Sequence, residues 1–250
     1  MNGRLVVIAG PSCVGKSPLA KALERLHPEL FEILQPVVLY NSRAPRPGEK
    51  DGVDYHFRKS EEILALGESD PDRYVVMDVR GDTQALDRVE LASLLDSGDA
   101  LFEGNPFVGK ELVRGARKGG TPCLNVFVSP LSGEEIRFLS AEPGVSMEKL
   151  VTDVMRRKLL RRTRRLKGEP SIKDLEEVER RAGSAWAEIR DGEHFDHVIP
   201  NHDGEDSENW DAFYHPIGDA RKAFGAVVAL LRGEEPPEFV ECWKAGLNQP

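Results

Sequence analysis

The sequence predicts an α/β fold: a central, mostly parallel sheet flanked by helices. Three observations predict it. Short, mostly apolar runs such as residues 5–9 and 124–128 suit strands buried on both faces. They alternate with stretches whose apolar residues recur at helical spacing, Leu19, Leu23 and Leu26 first among them. A glycine-rich turn joins the first strand to the first helix.

Length and charge set the bounds. The 250 residues are 40% hydrophobic and 31% charged, with 43 acidic against 34 basic side chains for a net charge of −9. That suits one domain, or two at most, burying roughly 70 to 75% of the surface of the unfolded chain. The longest apolar runs, 5–9 and 226–231, fall short of the ~20 residues of a membrane span, and no signal-peptide pattern precedes them. The expectation is a soluble, cytoplasmic protein with no membrane partner. Cys13, Cys123 and Cys242 lack metal-site or disulfide-framework spacing, and overall acidity argues against a nucleic-acid partner.

Element by element, the strand at 5–9 is followed by the turn and the Leu19, Leu23, Leu26 helix. Residues 37–57 are broken by Pro45, Pro47, Gly48 and Gly52, which suits irregular strands and turns. A strand is expected at 74–79, a helix carrying Leu86, Val89, Leu94 and Leu95 and ending near Gly98, then strands at 100–103 and 124–128. Val178, Ala182, Ala185, Trp186 and Ile189 form one helical stripe, with a strand at 197–199 and a helix from about 218 to 231 beyond it. Residues 233–250 read as a tail, whose Phe239, Val240 and Trp243 suit packing against the body.

GPSCVGKSP, residues 10–18, contains the complete G-x-x-x-x-G-K-S pattern between a buried strand and an amphipathic helix. Glycines let the backbone curl so that its N–H groups face phosphate oxygens, and the helix N-terminus adds a favourable field. The residues expected to hold a nucleoside triphosphate are Gly10, Ser12, Cys13, Val14, Gly15, Lys16, Ser17 and Pro18. Lys16 would reach the β- and γ-phosphates and Ser17 would ligate Mg²⁺. Cys13 reads as a small tolerated side chain, since no histidine is positioned to activate it. Pro18 has no N–H to offer.

A second phosphate-binding candidate is NSRAPRPGEKDGVDYHF, residues 41–57. Arg43 and Arg46 can present two planar forks to one phosphate, and Tyr55 adds a hydroxyl. A solvated basic loop would have the same composition.

The two segments together resemble the guanylate kinase family, which carries a TTRxPRxGExxGxxYxF element downstream of its phosphate loop. Weaker similarity runs over about residues 3–201 and includes FDHVIPN, residues 195–201, similar to the family's adenine-side segment. The resemblance implies a P-loop NTPase fold. It implies Arg43, Arg46 and Tyr55 as ligands of the acceptor phosphate with Glu49 in support, Glu103 holding Mg²⁺ through water, and Asn201 beside the adenine. Arg165 and Arg181 match lid arginines that close over the transferring phosphoryl group. Departures concentrate at the base end. Leu39 stands where the family has a serine, Gln84 is the nearest match to a tyrosine, and Asp78 and Asn105 fall at a guanine-reading glutamate and an aspartate. Another lid arginine position is occupied by Glu169. A carboxylate shortened or turned into an amide loses reach or acceptor capacity, so the expected acceptor is phosphorylated but need not be GMP.

Residues 156–167, RRKLLRRTRRLK, hold eight basic side chains in twelve, whereas HDGEDSENWD at 202–211 holds five acids and no lysine or arginine. Leu159, Leu160, Thr163 and Leu166 give the basic block a partial apolar face as a helix. A solvated helix face, a nucleic-acid patch and a phosphoryl-closing lid all fit the composition. The resemblance favours the lid for Arg165 and Arg181, with Arg161 and Arg162 as weaker candidates. Residues 136–155 match nothing in the family and would lengthen the helical region before the lid.

The expected organisation is a kinase-like domain over 1–232, with an acceptor-binding subdomain around 35–80 and a lid around 155–180, then the tail. The expected activity is transfer of the γ-phosphoryl of ATP, with Mg²⁺, to the phosphate of a nucleoside monophosphate such as GMP. Lys16, Arg165 and Arg181 would stabilise charge. No general base is needed, because the acceptor phosphate is already ionised near neutral pH. A kinase for another phosphorylated small molecule, such as a ribose bisphosphate, and a non-catalytic phosphopeptide-binding module are the other readings.

Overall fold

The five consecutive apolar residues of the first strand are all buried, and the rest of the architecture is layered around them. A computed structural model of the protein describes residues 3–46 and 48–244. Pro47, in the proline-stiffened stretch, and residues 245–250 of the tail lie outside the described residues. In chain order the elements are β1 (Leu5–Ala9), α1 (Lys16–Leu26), α2 (Pro28–Phe31), β2 (Leu34–Pro36), β3 (Leu39–Asn41), β4 (Tyr55–Phe57), α3 (Ser60–Ser69), β5 (Tyr74–Val79), β6 (Asp82–Asp87), α4 (Arg88–Ser97), β7 (Asp99–Gly104), α5 (Pro106–Gly119), β8 (Cys123–Ser129), α6 (Gly133–Ala141), α7 (Met147–Lys167), α8 (Ile172–Arg190), β9 (His197–Pro200) and α9 (Gly218–Leu231).

The main sheet has the order β2-β7-β1-β8-β9 with every neighbour parallel. Its registry brings Ala9 opposite Gly104 on one side and Phe127 on the other. The carboxyl ends of β1, β7 and β8 therefore finish together, which is where open α/β sheets place ligands. A second sheet, order β4-β3-β6-β5, mixes parallel and antiparallel pairs and carries the irregular region anticipated around residues 37–57.

The helix expected to include Leu86 starts later. Residues 82–87 pair with β5 as a strand, and α4 begins at Arg88. The boundary is chemical: the Asp87 carboxylate accepts the N–H groups of Val89 and Glu90 as a helix cap. Helix α7 extends the basic block backwards to Met147, and the earlier unmatched residues finish α6 and turn between the two helices. Its buried stripe is Met147, Val151, Met155 and Leu159, while Leu166 is exposed. Helix α8 buries Val178, Ala182, Ala185 and Ile189, as the spacing predicts.

The described part of the tail packs on the body. Val198 of β9 and Glu241 exchange backbone hydrogen bonds of 2.7 and 2.8 Å. Trp243 is buried, its ring centroid 6.1 Å from that of Phe127. No helix among the described residues is long and apolar enough to cross a membrane.

Candidate active site

The loop after β1 wraps the N-terminus of α1. Gly15 caps that helix with φ 97°, in the left-handed region, and a Cβ there would lie 2.7 Å from both the Asn201 amide nitrogen and the Asp203 carbonyl. Only glycine meets both demands. Pro18 falls in the first turn of α1, where N–H groups have no intrahelical partner, so the proline breaks no helical bond. Lys16 is buried with its Nζ donating to the carbonyls of Gly10 (2.9 Å) and Pro11 (2.8 Å). Burial pushes its ammonium below the usual lysine range, while Glu205, Glu103 and Glu188 act in the opposite direction.

Ser17 follows Lys16 on α1 and donates from Oγ to Glu103 Oε1 at 3.0 Å. Burial raises the Glu103 carboxyl, with Lys16 opposing. A hydroxyl beside a carboxylate is an oxygen donor pair that suits Mg²⁺. Among the described residues, no group of three or more His, Cys, Asp or Glu is placed to hold a metal ion by itself. Cys13, at φ 66° in the same loop, is buried, and burial followed by Glu205 and Asp206 pushes its thiol well up. It is therefore inert as a nucleophile near neutral pH.

The side chains from Arg43 to Tyr55 form one unit. Arg43 donates to both oxygens of Glu49, at 2.6 and 2.7 Å, and Glu49 also accepts the backbone N–H of Arg46 at 2.7 Å. The Arg43 guanidinium lies 4.9 Å from the Tyr55 ring centroid. Burial leads the upward shift of the Tyr55 hydroxyl, so it stays a donor. One cavity is lined by this unit, by Lys16 and Ser17 of the loop, and by Glu103. Arg181 also lines it, held by a 2.6 Å bond from its Nε to Glu177.

Residues 2–89 match the guanylate kinase family model. Over 203 residues the chain is 33% identical to guanylate kinase of Rhodococcus jostii, an alignment covering 81% of this chain and 82% of that one. The chain belongs to the guanylate kinase family. It is also 29% identical over 236 residues to guanylate kinase of Alkalilimnicola ehrlichii, covering 94% of this chain and 95% of the relative. The crystal structure of guanylate kinase from Anaplasma phagocytophilum shares the fold, with a TM-score of 0.54 at 21% identity over 95% of this chain and 89% of that one.

Against this guanylate kinase frame, four expected site residues are placed differently. Asp78 faces away from the cavity: β5 alternates buried Met77, exposed Asp78 and buried Val79, and the Asp78 carboxylate accepts the Gly81 N–H at 3.1 Å. Asn105 lines the cavity, but its Oδ1 caps α5 through the Phe107 N–H and its Nδ2 donates to Glu188 at 3.2 Å. One lone pair of its Oδ1 is thus already engaged, and as an amide it offers no carboxylate. Asn201 is fully buried behind the loop, with Nδ2 donating to the Val14 and Asp203 carbonyls at 2.8 and 2.7 Å and Oδ1 accepting the Asp203 N–H. It buttresses the loop, because the end of β9 runs directly beneath it. Arg165 lies outside the cavity lining and pairs with Asp211 at 3.0 Å, while Arg162, one turn earlier on α7, lines it. Gln84 is buried on β6 and does line the cavity.

The sequence alone does not single out Arg80, Glu177, Arg180 and Glu205, which line the same cavity, nor Glu188, which holds the Arg80 guanidinium. Glu177 holds Arg180 and Arg181 at helical spacing, but the Arg80–Glu188, Arg46–Glu177 and Arg180–Arg80 contacts join positions 100 or more apart, beyond the reach of spacing arguments. One signal was available: the basic block and the acidic insert have opposite charge. In the structure they face each other, with Lys158 and Arg161 3.8 and 3.3 Å from Asp206, and Arg162 3.9 Å from Glu205. The insert also lies on the phosphate loop, where a Cβ at Gly204 would come within 2.2 Å of the Cys13 carbonyl.

Proposed function

We propose that the protein transfers the γ-phosphoryl of ATP to the phosphate of a nucleoside monophosphate or a related phosphorylated small molecule. The observation that carries this reading is a single cavity that holds an intact phosphate loop, with Lys16, Ser17 and Glu103, together with the Arg43, Arg46, Glu49 and Tyr55 unit. Loop N–H groups and Lys16 would hold the donor, and Arg43, Arg46 and Tyr55 the acceptor phosphate, so that an acceptor oxygen can attack the γ-phosphorus in line with the leaving oxygen. Ser17, and Glu103 through water, would hold Mg²⁺, which when bound would supply positive charge to the phosphate oxygens. Arg162 and Arg181 would supply positive charge from α7 and α8, and motion of residues 155–180 as a lid belongs to the same proposal. So does a cytoplasmic location. Intact Lys16 and Ser17 weigh against a purely phosphopeptide-binding role.

The outward turn of Asp78 and the amide of Asn105, engaged as a helix cap, favour a specific second reading. Neither family base-reading position offers a free carboxylate to a guanine edge, which supports an acceptor whose other half is not guanine. Transfer from γ-labelled ATP to a panel of nucleoside monophosphates and sugar phosphates tests both. Label on GMP at ~1 to 100 turnovers per second supports a guanylate kinase in the strict sense. Label on another acceptor supports the second reading, and label on none of them contradicts a kinase.

A further inference from the structure

Arg80 sits at the tip of the β5–β6 hairpin with φ 60°, a backbone conformation that non-glycine residues rarely adopt. Its side chain reaches inward and is 15% exposed. Nε and Nη2 donate to the two oxygens of Glu188, each at 2.6 Å, while Nη1 donates to Ser12 Oγ in the phosphate loop at 3.1 Å. Glu188 is itself 8% exposed and also accepts from Ser184 at 2.8 Å and from Asn105 at 3.2 Å. The carboxylate is therefore fixed by three side chains, and it aims the guanidinium fork. The hairpin backbone is tied down as well, since the Arg80 carbonyl accepts from Arg180.

The same cavity is lined by Lys16 on the donor side and by Arg43 and Arg46 on the acceptor side. The charge of Arg80 reaches Lys16, where it opposes protonation. A strut between the hairpin and α8 would need only the Glu188 pair. The third bond, directed onto the phosphate loop, serves no such strut.

We propose that Arg80 is a catalytic arginine of the transfer, contributed by the acceptor subdomain where the lid has Glu169 and an Arg165 turned to Asp211. This rests on the kinase reading. In the step, an acceptor phosphate oxygen donates a lone pair to the γ-phosphorus and forms the new P–O bond. The bond to the β–γ bridging oxygen breaks and its electron pair leaves on ADP. Arg80 donates N–H from Nη1 to an equatorial oxygen of the group in flight, in exchange for Ser12, and no proton is transferred to or from it.

The test compares wild type, Arg80→Ala and Arg80→Lys in single-turnover transfer to the best acceptor of the panel. Thermal stability and binding of a fluorescent ATP analogue are followed in parallel. Arg80→Ala is expected to lose on the order of 10²- to 10³-fold in transfer rate, with ATP-analogue affinity within about threefold of wild type. Free guanidinium ion should restore part of the lost rate, a response that loss of a strut would not give. Arg80→Lys keeps the charge without the fork and should stay at least about tenfold slow. If the alanine variant fails to fold, the lysine variant decides. A wild-type rate in either variant overturns the inference, as does a loss that follows melting temperature and nucleotide affinity without guanidinium rescue. A wild-type protein that transfers to no acceptor overturns this inference and the kinase reading together.

Discussion

Arg43 and Glu49 meet through two parallel hydrogen bonds of 2.6 and 2.7 Å, with Glu49 simultaneously accepting the Arg46 backbone N–H. The carboxylate thus orients one arginine by its side chain and the next by its main chain. Glu49→Gln leaves one N–H of the fork without its charged partner. The expected loss is about 1.5 to 3 kcal/mol of acceptor binding, roughly tenfold to a hundredfold in acceptor KM, while the KM for ATP stays unchanged. Steady-state kinetics with each substrate varied in turn checks it, and equal rises in both KM values would refute the division of labour.

Asp87 joins two elements at a 4% exposed carboxylate: it caps α4 and holds Arg73 with bonds of 2.7 to 3.1 Å. Arg73 is partly solvated, which reduces the value of the ion pair. Asp87→Ala should destabilise by about 2 to 3 kcal/mol. Asp87→Asn keeps a capping oxygen and should recover about half of that. Urea unfolding of both variants would show this order, and equal losses would mean that the cap contributes nothing.

His202 lies between two carboxylates, 2.7 Å from Asp219 and 2.9 Å from Glu135. Burial opposes its charge, but the bonds to Asp219 and Glu135 prevail and hold its pKa above the ordinary histidine value. A raised folded-state pKa means that this stabilisation is complete below about pH 6.5 and is lost as pH rises through the raised value. His202→Gln should therefore destabilise more at pH 6 than at pH 9. Because the imidazole is half exposed, the difference should stay under about 1 kcal/mol. Denaturant titrations at the two pH values check the sign, and a larger effect at pH 9 would be contrary to it.

Trp243 fills a site formed by Phe127 and Gly192, where a Cβ on Gly192 would come within 2.7 Å of the indole. Trp243→Ala should cost about 3 kcal/mol, a fall of roughly 6 to 12 °C in melting temperature. Differential scanning calorimetry measures it. An unchanged midpoint would show that residues 238–244 are not part of the folded core.

Locally encoded features were legible in the sequence. The phosphate loop, the Arg43 to Tyr55 segment and the α9 helix each depend on a contiguous pattern whose geometry is set by near neighbours. Features that depend on tertiary pairing were not. Arg80 and Glu188 are 108 positions apart, and nothing in the spacing of either points to the other. The direction of Asp78 follows from strand register, since one step along β5 reverses the face. Asn201 was placed by family likeness beside a base, yet its amide is used up by carbonyls that only the folded loop brings near. The basic block and the acidic insert were each conspicuous, and their pairing needed the fold.

The central claim, that the phosphate loop and the arginine unit act as one phosphotransfer site, is tested most directly by following ³¹P resonances in a mixture of Mg-ATP, acceptor and protein, with Lys16→Ala alongside. The account predicts growth of ADP and of a new diphosphate signal on the acceptor with wild type, and loss of at least about a hundredfold in that rate with Lys16→Ala. Unchanged ATP and acceptor spectra with the wild-type protein, or equal rates from the two proteins, would contradict it.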